Sequence, residues 1–487
     1  MAKVLFTHSY FYKFDPKQWR MQQPYAPLAT LYAAAFIRKN GHEVSLFDTN
    51  LLDTPDDIIP VLKTQKPDFL IIYDDSFNYL TKMCLTNMRK AAFRLAELGK
   101  DYGCTVIVNS SDSADHHKMY LENNTDFIIA GEGEVTLNEL LKALVENADT
   151  VETISGLVFN KNGGVHITGK RPVMKDLDTL PQPAWDLIDV EPYRKIWVQA
   201  HGYFSMNIAT TRGCPFKCNW CAKPIYGNRY NSRSAQNVVD EIEFLLNAYN
   251  PNHFWMCDDI FGLKPKWVQE FRDIVQAKGL SFKYKIQSRV DLIVKNDTID
   301  ALAESGLDIA WVGAESGSQK ILDAMDKGTT IEQIYEATKL LKEKGIKVAF
   351  FLQFGYLGET KEDIQKTIDL VLDLMPDEIG ISVSYPLPGT KFYENVKHGM
   401  KEKQNWTDSN DLTLMFRSTF SSDYYKKLHR YVHAVYRKEK GYKNLQTMIT
   451  NPLKINKQQM KSALSTGYYL PVSYFLNRYL KKLEFEN

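Results

Sequence analysis

The sequence predicts an α/β protein: an N-terminal Rossmann-like doubly wound parallel sheet, then a partial (β/α)6 barrel, then a helical C-terminal extension. Three features of the 487 residues predict it. Short β-branched or aromatic runs alternate with amphipathic stretches through the first third of the chain. From about 204 to 390 the alternation resumes at roughly 30-residue steps, the size of a βα repeat. The last segment is basic and tyrosine-rich and lacks that alternation.

In the first third, strands are expected at Lys3–Thr7, Val44–Asp48, Asp68–Asp75, Thr105–Ser110 and Asp126–Gly131. Helical patterns lie between them, among them PLATLYAAAFIRKNGHE and TLNELLKALVEN. Apolar strands separated by such helices form a parallel sheet covered on both faces. Ligands bind such sheets at the carboxyl ends of the strands. The loops there read TxSYFY, YDDSFNY, NSSDSAD and GEGEVT. None is a GxGxxG or GxxxxGK[ST] fingerprint, which argues against NAD and ATP.

Residues 1–150 therefore form the first domain and 151–195 a connector. Asn162-Gly163-Gly164 signals a hairpin, and Pro181 and Pro183 preclude a regular helix. Residues 196–420 form the barrel, with strands expected at Phe204–Thr211, His253–Asp259, Phe282–Arg289, Asp308–Ser316, Lys347–Gly355 and Glu378–Pro386. Helices follow them; SAQNVVDEIEFLLNAYN, with Ser234 as N-cap, is the clearest. Residues 421–487 are the helical tail.

Net charge is +1, so the chain as a whole has no bias toward polyanions. Six cysteines in so long a chain do not suggest a disulfide framework, and their clustering suggests a reducing, cytoplasmic setting. The N-terminus lacks the apolar core of a signal peptide, and no stretch approaches the length of a membrane span. Cys84, Cys104 and Cys257 stand singly in apolar runs, as buried core thiols do.

Cys214, Cys218 and Cys221 form CxxxCxxC in TTRGCPFKCNWCAK, directly after the first barrel strand, where barrel chemistry sits. The spacing alone suits a zinc loop or a cluster. A closed zinc site wants a fourth ligand, whereas a four-iron–four-sulfur cluster on three cysteines keeps one iron open. With the flanking Thr211-Arg212-Gly213, Pro215 and Trp220, the run resembles the signature of the radical S-adenosylmethionine (SAM) enzymes.

That resemblance implies a 4Fe-4S cluster whose open iron chelates SAM, and it extends to the other strand ends. Asp258 and Asp259 in CDDIF would accept the SAM ammonium, although an aspartate pair also caps turns. Arg289 in QSRVDLI would face the carboxylate, or pair with an acid inside the barrel. Glu315 in VGAESGS resembles a family acid that contacts SAM. Gly355 and Gly358 in GYLGE would bring main chain to the adenine, and Tyr385–Thr390 resembles the family's PLPGT segment.

The pattern PLATLYAAAFIRKNGHEVSLFD, followed by DFIIAGEGEVTLNELL, is similar to the cobalamin-binding domain that precedes many radical SAM enzymes. It implies cobalamin with its tail near Ser110, Ser111, Gly131, Glu132 and Gly133. There is no DxHxxG to offer a cobalt-ligating histidine, and serines stand where the family's fourth loop has glycines.

The function implied is reductive cleavage of SAM to a 5′-deoxyadenosyl radical, hydrogen abstraction from an unactivated carbon, and methyl delivery from cobalamin. An external one-electron donor such as flavodoxin or ferredoxin would supply the electron. Alternatives are cobalamin-assisted oxidative cyclisation, as in anaerobic magnesium-porphyrin cyclases, and a non-catalytic corrinoid or iron–sulfur carrier. The substrate would be a small or lipid-like molecule. The tail carries 13 Lys or Arg against 4 Asp or Glu. That suits either solvated helices capping the barrel or peripheral contact with anionic membrane. No nucleic-acid motif accompanies the charge.

Overall fold

The computed structural model describes residues 1–83, 85–223, 225–295, 297–451 and 456–484; Cys84 lies outside them. The first sheet has seven strands, β1 (Lys3–Thr7), β2 (Glu43–Leu46), β3 (Phe69–Tyr73), β4 (Thr105–Asn109), β5 (Phe127–Ile129), β6 (Leu157–Lys161) and β7 (Gly164–Ile167). Their order is β2-β1-β3-β4-β5-β6-β7. The first five pair in parallel, while β6 and β7 join antiparallel. Central β3, FLIIY, is buried at every residue, as a strand covered on both faces must be.

The β6–β7 hairpin, whose turn falls at Asn162-Gly163, lies within residues 151–195 and extends the first sheet. Leu157, Val158 and Phe159 are buried. They bring β6 against β5, whose outer backbone groups would otherwise lie open at the sheet edge.

The barrel follows: β8 (Ser205–Ile208), the short β9 (Thr211–Arg212) and β10 (Asn231–Ser232), then β11 (His253–Met256), β12 (Lys283–Ser288), β13 (Leu307–Glu315), β14 (Lys347–Phe354) and β15 (Glu378–Val383). β9 and β10 pair with each other. The other six form one open, all-parallel sheet in the order β15-β14-β13-β12-β11-β8. Side chains alternate across these strands. On β12, Tyr284, Ile286 and Ser288 are buried, whereas Lys285 and Gln287 are half-buried and border the interior cavity.

A single apolar core runs from one face of the first sheet into the barrel wall. The chain then returns to the first domain, where Thr86 N donates to Trp406 O (2.9 Å) and Ser409 N and Oγ donate to the Asp15 carboxylate (3.0 and 2.8 Å). It ends in two long helices, Ser422–Thr450 and Lys457–Leu483, packed on each other. Tyr436 Oη anchors the first to the carbonyls of Pro376 and Asp377 (2.7 Å each) beside β15. No helix among the described residues is long and apolar enough to cross a membrane.

Candidate active site

The cysteine loop leaves the end of β8 and is fixed at several points. Asp258, 1% exposed, accepts from Thr210 N (2.7 Å), Thr211 N (2.8 Å) and Thr210 Oγ1 (2.5 Å). Its carboxylate is thus committed to the start of the loop, and burial pushes its pKa up to about 6. Gly213 has φ +79°, and a Cβ there would lie 2.4 Å from the Arg229 carbonyl. Only glycine fits.

Asn219, between the second and third cysteines, receives Phe392 N (2.9 Å) and Tyr356 Oη (2.7 Å) and donates to Met325 O (3.0 Å) and Ala324 O (2.6 Å). Cys214, Cys218 and Cys221 are free and half-buried. Burial raises the thiols of Cys214 and Cys221, the latter to about 12, so a bound cation is what would ionise them. Among the described residues no three His, Cys, Asp or Glu side chains gather around one point as a single metal ion requires. A closed zinc site would want a fourth ligand, whereas a 4Fe-4S cluster with one open iron takes three cysteines. Trp220 Nε1 and Thr211 Oγ1 are buried beside it without a hydrogen-bond partner among the described residues.

The other strand ends ring this loop. Asp259 forms an ion pair with Lys82 of the first domain. Burial opposes the Lys82 charge, but Asp259, Cys221 and Cys257 hold its pKa above the ordinary value. Arg289 stacks on Phe216 of the cysteine loop (3.8 Å), donates to Lys327 O (2.7 Å), approaches Cys218 Sγ (3.9 Å), and pairs with Asp291 (2.9 Å). It braces the cysteine loop against the barrel.

Glu315 sits at φ +57° in a γ-turn closed by Ser316 N and Ala314 O (2.7 Å), a strained conformation for glutamate. Its Oε1 accepts from Lys327 (2.8 Å). A Cβ on Gly313 would meet both groups at 2.5 and 2.7 Å, so this pair lies across a glycine. Gly355 N donates to Glu359 (2.7 Å), and Gly355 O accepts from Ser418 (3.3 Å). Its main chain, expected to meet adenine, is engaged by the protein. Gly358 O accepts from Lys320 (2.9 Å) on the open side of the turn.

In the first domain, Arg212 of the cysteine loop forks onto Glu132 (2.5 Å) and Glu134 (2.6 Å), all three nearly fully buried. The rings of Tyr32, Phe77 and Tyr226 lie within 6.0 Å of the guanidinium. One cation faces two acids, and burial, only partly offset by Arg212, raises the Glu132 pKa. Glu132 thus serves the domain interface. Gly133 passes Tyr73, whose Oη lies 2.7 Å from where a Cβ would be, and Gly131 O accepts from Asn109 (3.0 Å). Ser110 and Ser113 form a capping box for the short helix Ser111–Asp115, with Ser110 and Ser111 both buried. The serines thus cap a helix, and open volume at this sheet edge lies along the loop after β3. A cavity of about 800 Å³ begins there, at Asp75, Asn78 and Tyr79, and descends through the barrel to His253 and Lys347.

Residues 208–371 match the model of the Radical SAM superfamily. Those residues form a radical SAM domain. Members of the superfamily use a 4Fe-4S cluster and SAM. An uncharacterized methyltransferase of Pyrococcus horikoshii is 27% identical over 83% of this radical SAM chain and 86% of its own length. The anaerobic magnesium-protoporphyrin IX monomethyl ester cyclase of Cereibacter sphaeroides is 30% identical, but over only 56% of this chain and 45% of its own. Among solved structures, the cobalamin-dependent SAM radical enzyme OxsB with aqua-cobalamin bound superposes with TM-score 0.72 at 17% identity, over 97% of this chain and 76% of its own. The methyltransferase TsrM of Kitasatospora setae, with cobalamin and a 4Fe-4S cluster bound, gives 0.68 at 18% identity, over 82% and 75%. The three-part α/β architecture is thus that of cobalamin-containing radical SAM proteins.

Sequence reasoning missed Arg212 as a clamp, along with Asn219, Lys82 and Lys327. Arg212 and Asn219 flank the cysteines, yet their partners are 78 to 173 positions away in the chain. Replacing Arg212 by Met strands two buried carboxylates and should cost about 3–5 kcal/mol in denaturant unfolding. Arg212→Lys, which keeps the charge without the fork, should cost less. Glu359 is fully buried, and burial pushes its carboxyl up to about 8. The folded chain therefore binds that proton more tightly than the unfolded chain, where the pKa is about 4.3. Its contribution falls as pH rises between those values. Glu359→Gln should gain thermal stability over wild type as pH rises from about 5 to about 8; a constant difference in melting temperature would refute this.

Proposed function

We propose that this radical SAM chain is a cobalamin-dependent methyltransferase acting on an unactivated carbon of a substrate held in the barrel cavity. The carrying observation is the locked apposition of the two domains. Arg212 joins the cysteine loop to Glu132 and Glu134, Lys82 joins Asp259, and the cavity runs from the loop after β3 down the barrel. The near full-length similarity to the Pyrococcus methyltransferase supports the same reading.

Cys214, Cys218 and Cys221 would hold the cluster, and the thiolate donor set fits iron–sulfur chemistry. Asp259 and Glu315, at the strand ends on either side of β12, would face SAM. Asn78 and Tyr79 would border cobalamin. His8 is tied to Asp48 (2.8 Å) and Thr49, and His116 lies beside Asp112, so neither is offered to cobalt. Bound in these places, the cluster and SAM supply a 5′-deoxyadenosyl radical and cobalamin supplies a methyl group. The protein orients these groups and screens the cavity from water, with the aromatic rings of Trp255, Trp311 and Phe351 on its wall. The electron comes from an external donor such as flavodoxin or ferredoxin. The cyclase relative favours a second reading, oxidative cyclisation in the same site.

Protein reconstituted anaerobically with iron, sulfide, SAM and hydroxocobalamin should hold roughly four irons per chain. The triple alanine variant of the cysteines should lose nearly all of them. With substrate-containing extract, methyl transfer forms 5′-deoxyadenosine and S-adenosylhomocysteine in equal amounts with a methylated product. Deoxyadenosine without S-adenosylhomocysteine would favour cyclisation, and full iron in the triple variant would end the proposal.

A further inference from the structure

Of the two lysines that the barrel strands set on the cavity wall, Lys347 is paired with Asp308, as Lys82 and Lys327 at the rim are with Asp259 and Glu315. Lys285, midway along β12, makes no ion pair or hydrogen bond among the described residues. Its ammonium lies over the rings of Tyr25 (4.9 Å) and Trp255 (5.1 Å), and what exposure it has is into the cavity. Glu378 acts on it only at a distance, and burial lowers its pKa to about 8. Ring faces recover on the order of 1–2 kcal/mol, less than the cost of withdrawing a lone charge from water. The neighbouring His253 is held neutral by burial and by Lys285 itself, so it supplies no negative partner. Above Lys285, toward the cysteine loop, the cavity wall is Gln287, Trp311 and Phe351, with the rings of Trp311 and Phe351 4.7 Å apart and tilted by 31°.

We propose that Lys285 anchors the carboxylate of a substrate whose apolar or aromatic body lies against Trp255, Trp311 and Phe351. The reactive carbon would sit near the barrel mouth. Three residues of strand separate Lys285 from the end of β12, so carboxylate and reactive carbon are about 10 Å apart. The choice of a carboxylate follows from a single ammonium at this point of the wall; Lys17, Arg20, Arg430 and Arg437 also line the cavity, but from the helices Pro16–Met21 and Ser422–Thr450. This placement of the reactive carbon rests on the reading of the barrel mouth as the site of chemistry; the anchor itself does not.

Anaerobic titration calorimetry on full-length reconstituted protein with 1-pyrenebutyrate and 1-pyrenebutanol tests the anchor without turnover. A failure of catalysis would therefore leave the result standing. Wild type should prefer the acid by about tenfold or more, the worth of a hydrogen bond to a charged group. Lys285→Met should bind acid and alcohol alike, with alcohol affinity unchanged. Equal binding by wild type, binding of neither probe, or a preference that survives in Lys285→Met overturns the proposal. If Lys285→Met binds neither, Lys285→Arg decides: a kept preference supports the anchor and a lost one refutes it.

A second, independent observation concerns the outer face of the helix Lys457–Leu483. Met460, Leu464, Tyr468, Phe475 and Tyr479 recur at helical spacing and are exposed, Leu464 by 74% and Phe475 by 66%. The helix contains no Asp or Glu, and Lys457, Lys461, Arg478, Lys481 and Lys482 bracket the apolar stretch. We infer that this face docks on an anionic membrane surface, its rings at headgroup depth and its cations on lipid phosphates. Wild type should co-sediment with phosphatidylglycerol–phosphatidylcholine vesicles and much less with phosphatidylcholine alone. Leu464→Glu/Phe475→Glu should stay in solution. Wild type that ignores the anionic vesicles, a double variant that still sediments, or a dimer in solution dissolved by the double variant would each overturn it.

Discussion

The Arg212 guanidinium, wedged between Glu132 and Glu134, is the contact on which the arrangement of the molecule turns. It is covalently part of the cysteine loop and electrostatically part of the first domain. Two short bonds from a planar fork, one to each carboxylate, fix direction as well as distance. The ligand edge of one sheet and the mouth of the other therefore cannot drift apart without exposing three charges to an apolar interior. A burial cost that would be a liability elsewhere here sets the geometry between domains.

Around that clamp the protein concentrates constraint on the rim. Asp258 holds the backbone leading into the cysteines, Asn219 ties the middle of their loop to two other strand ends, and Arg289 lies on Phe216. Glu315 is kept in a left-handed turn that free glutamate avoids, and its ion pair with Lys327 occupies space that only a glycine at 313 leaves open. Strain of this kind persists where surrounding contacts over-determine it. Here those contacts converge on one loop.

Much of this was legible in the sequence, for identifiable reasons. Strands of both sheets are short β-branched or aromatic runs and the helices between them are amphipathic, so element type and order follow from local chemistry; β1 spans the residues expected of it. The cysteine triad is a contiguous string. What the sequence withheld depends on distant partners. The hairpin at Asn162 reads as a turn, but nothing local says that it completes the first sheet. Glu132 reads as part of a glycine-rich ligand loop, because the arginine that claims it lies 80 positions away. Ser110 and Ser111 look like small residues making room, whereas the Ser110 hydroxyl caps a helix and Ser111 is buried in its first turn.

The cavity's lower side wall comes from the last two helices, with His429, His433, Arg437, Tyr469 and Val472 facing the lumen. None of these residues touches the cysteine loop or the clamp. The cysteine-bearing rim and this part of the cavity wall therefore reside on separate stretches of chain, joined through the packing of Tyr436 beneath β15. Such a division lets the wall diversify by substitution while the radical-generating apparatus stays intact. In an evolutionary sense the terminal helices are an exchangeable mould set against a fixed reactor.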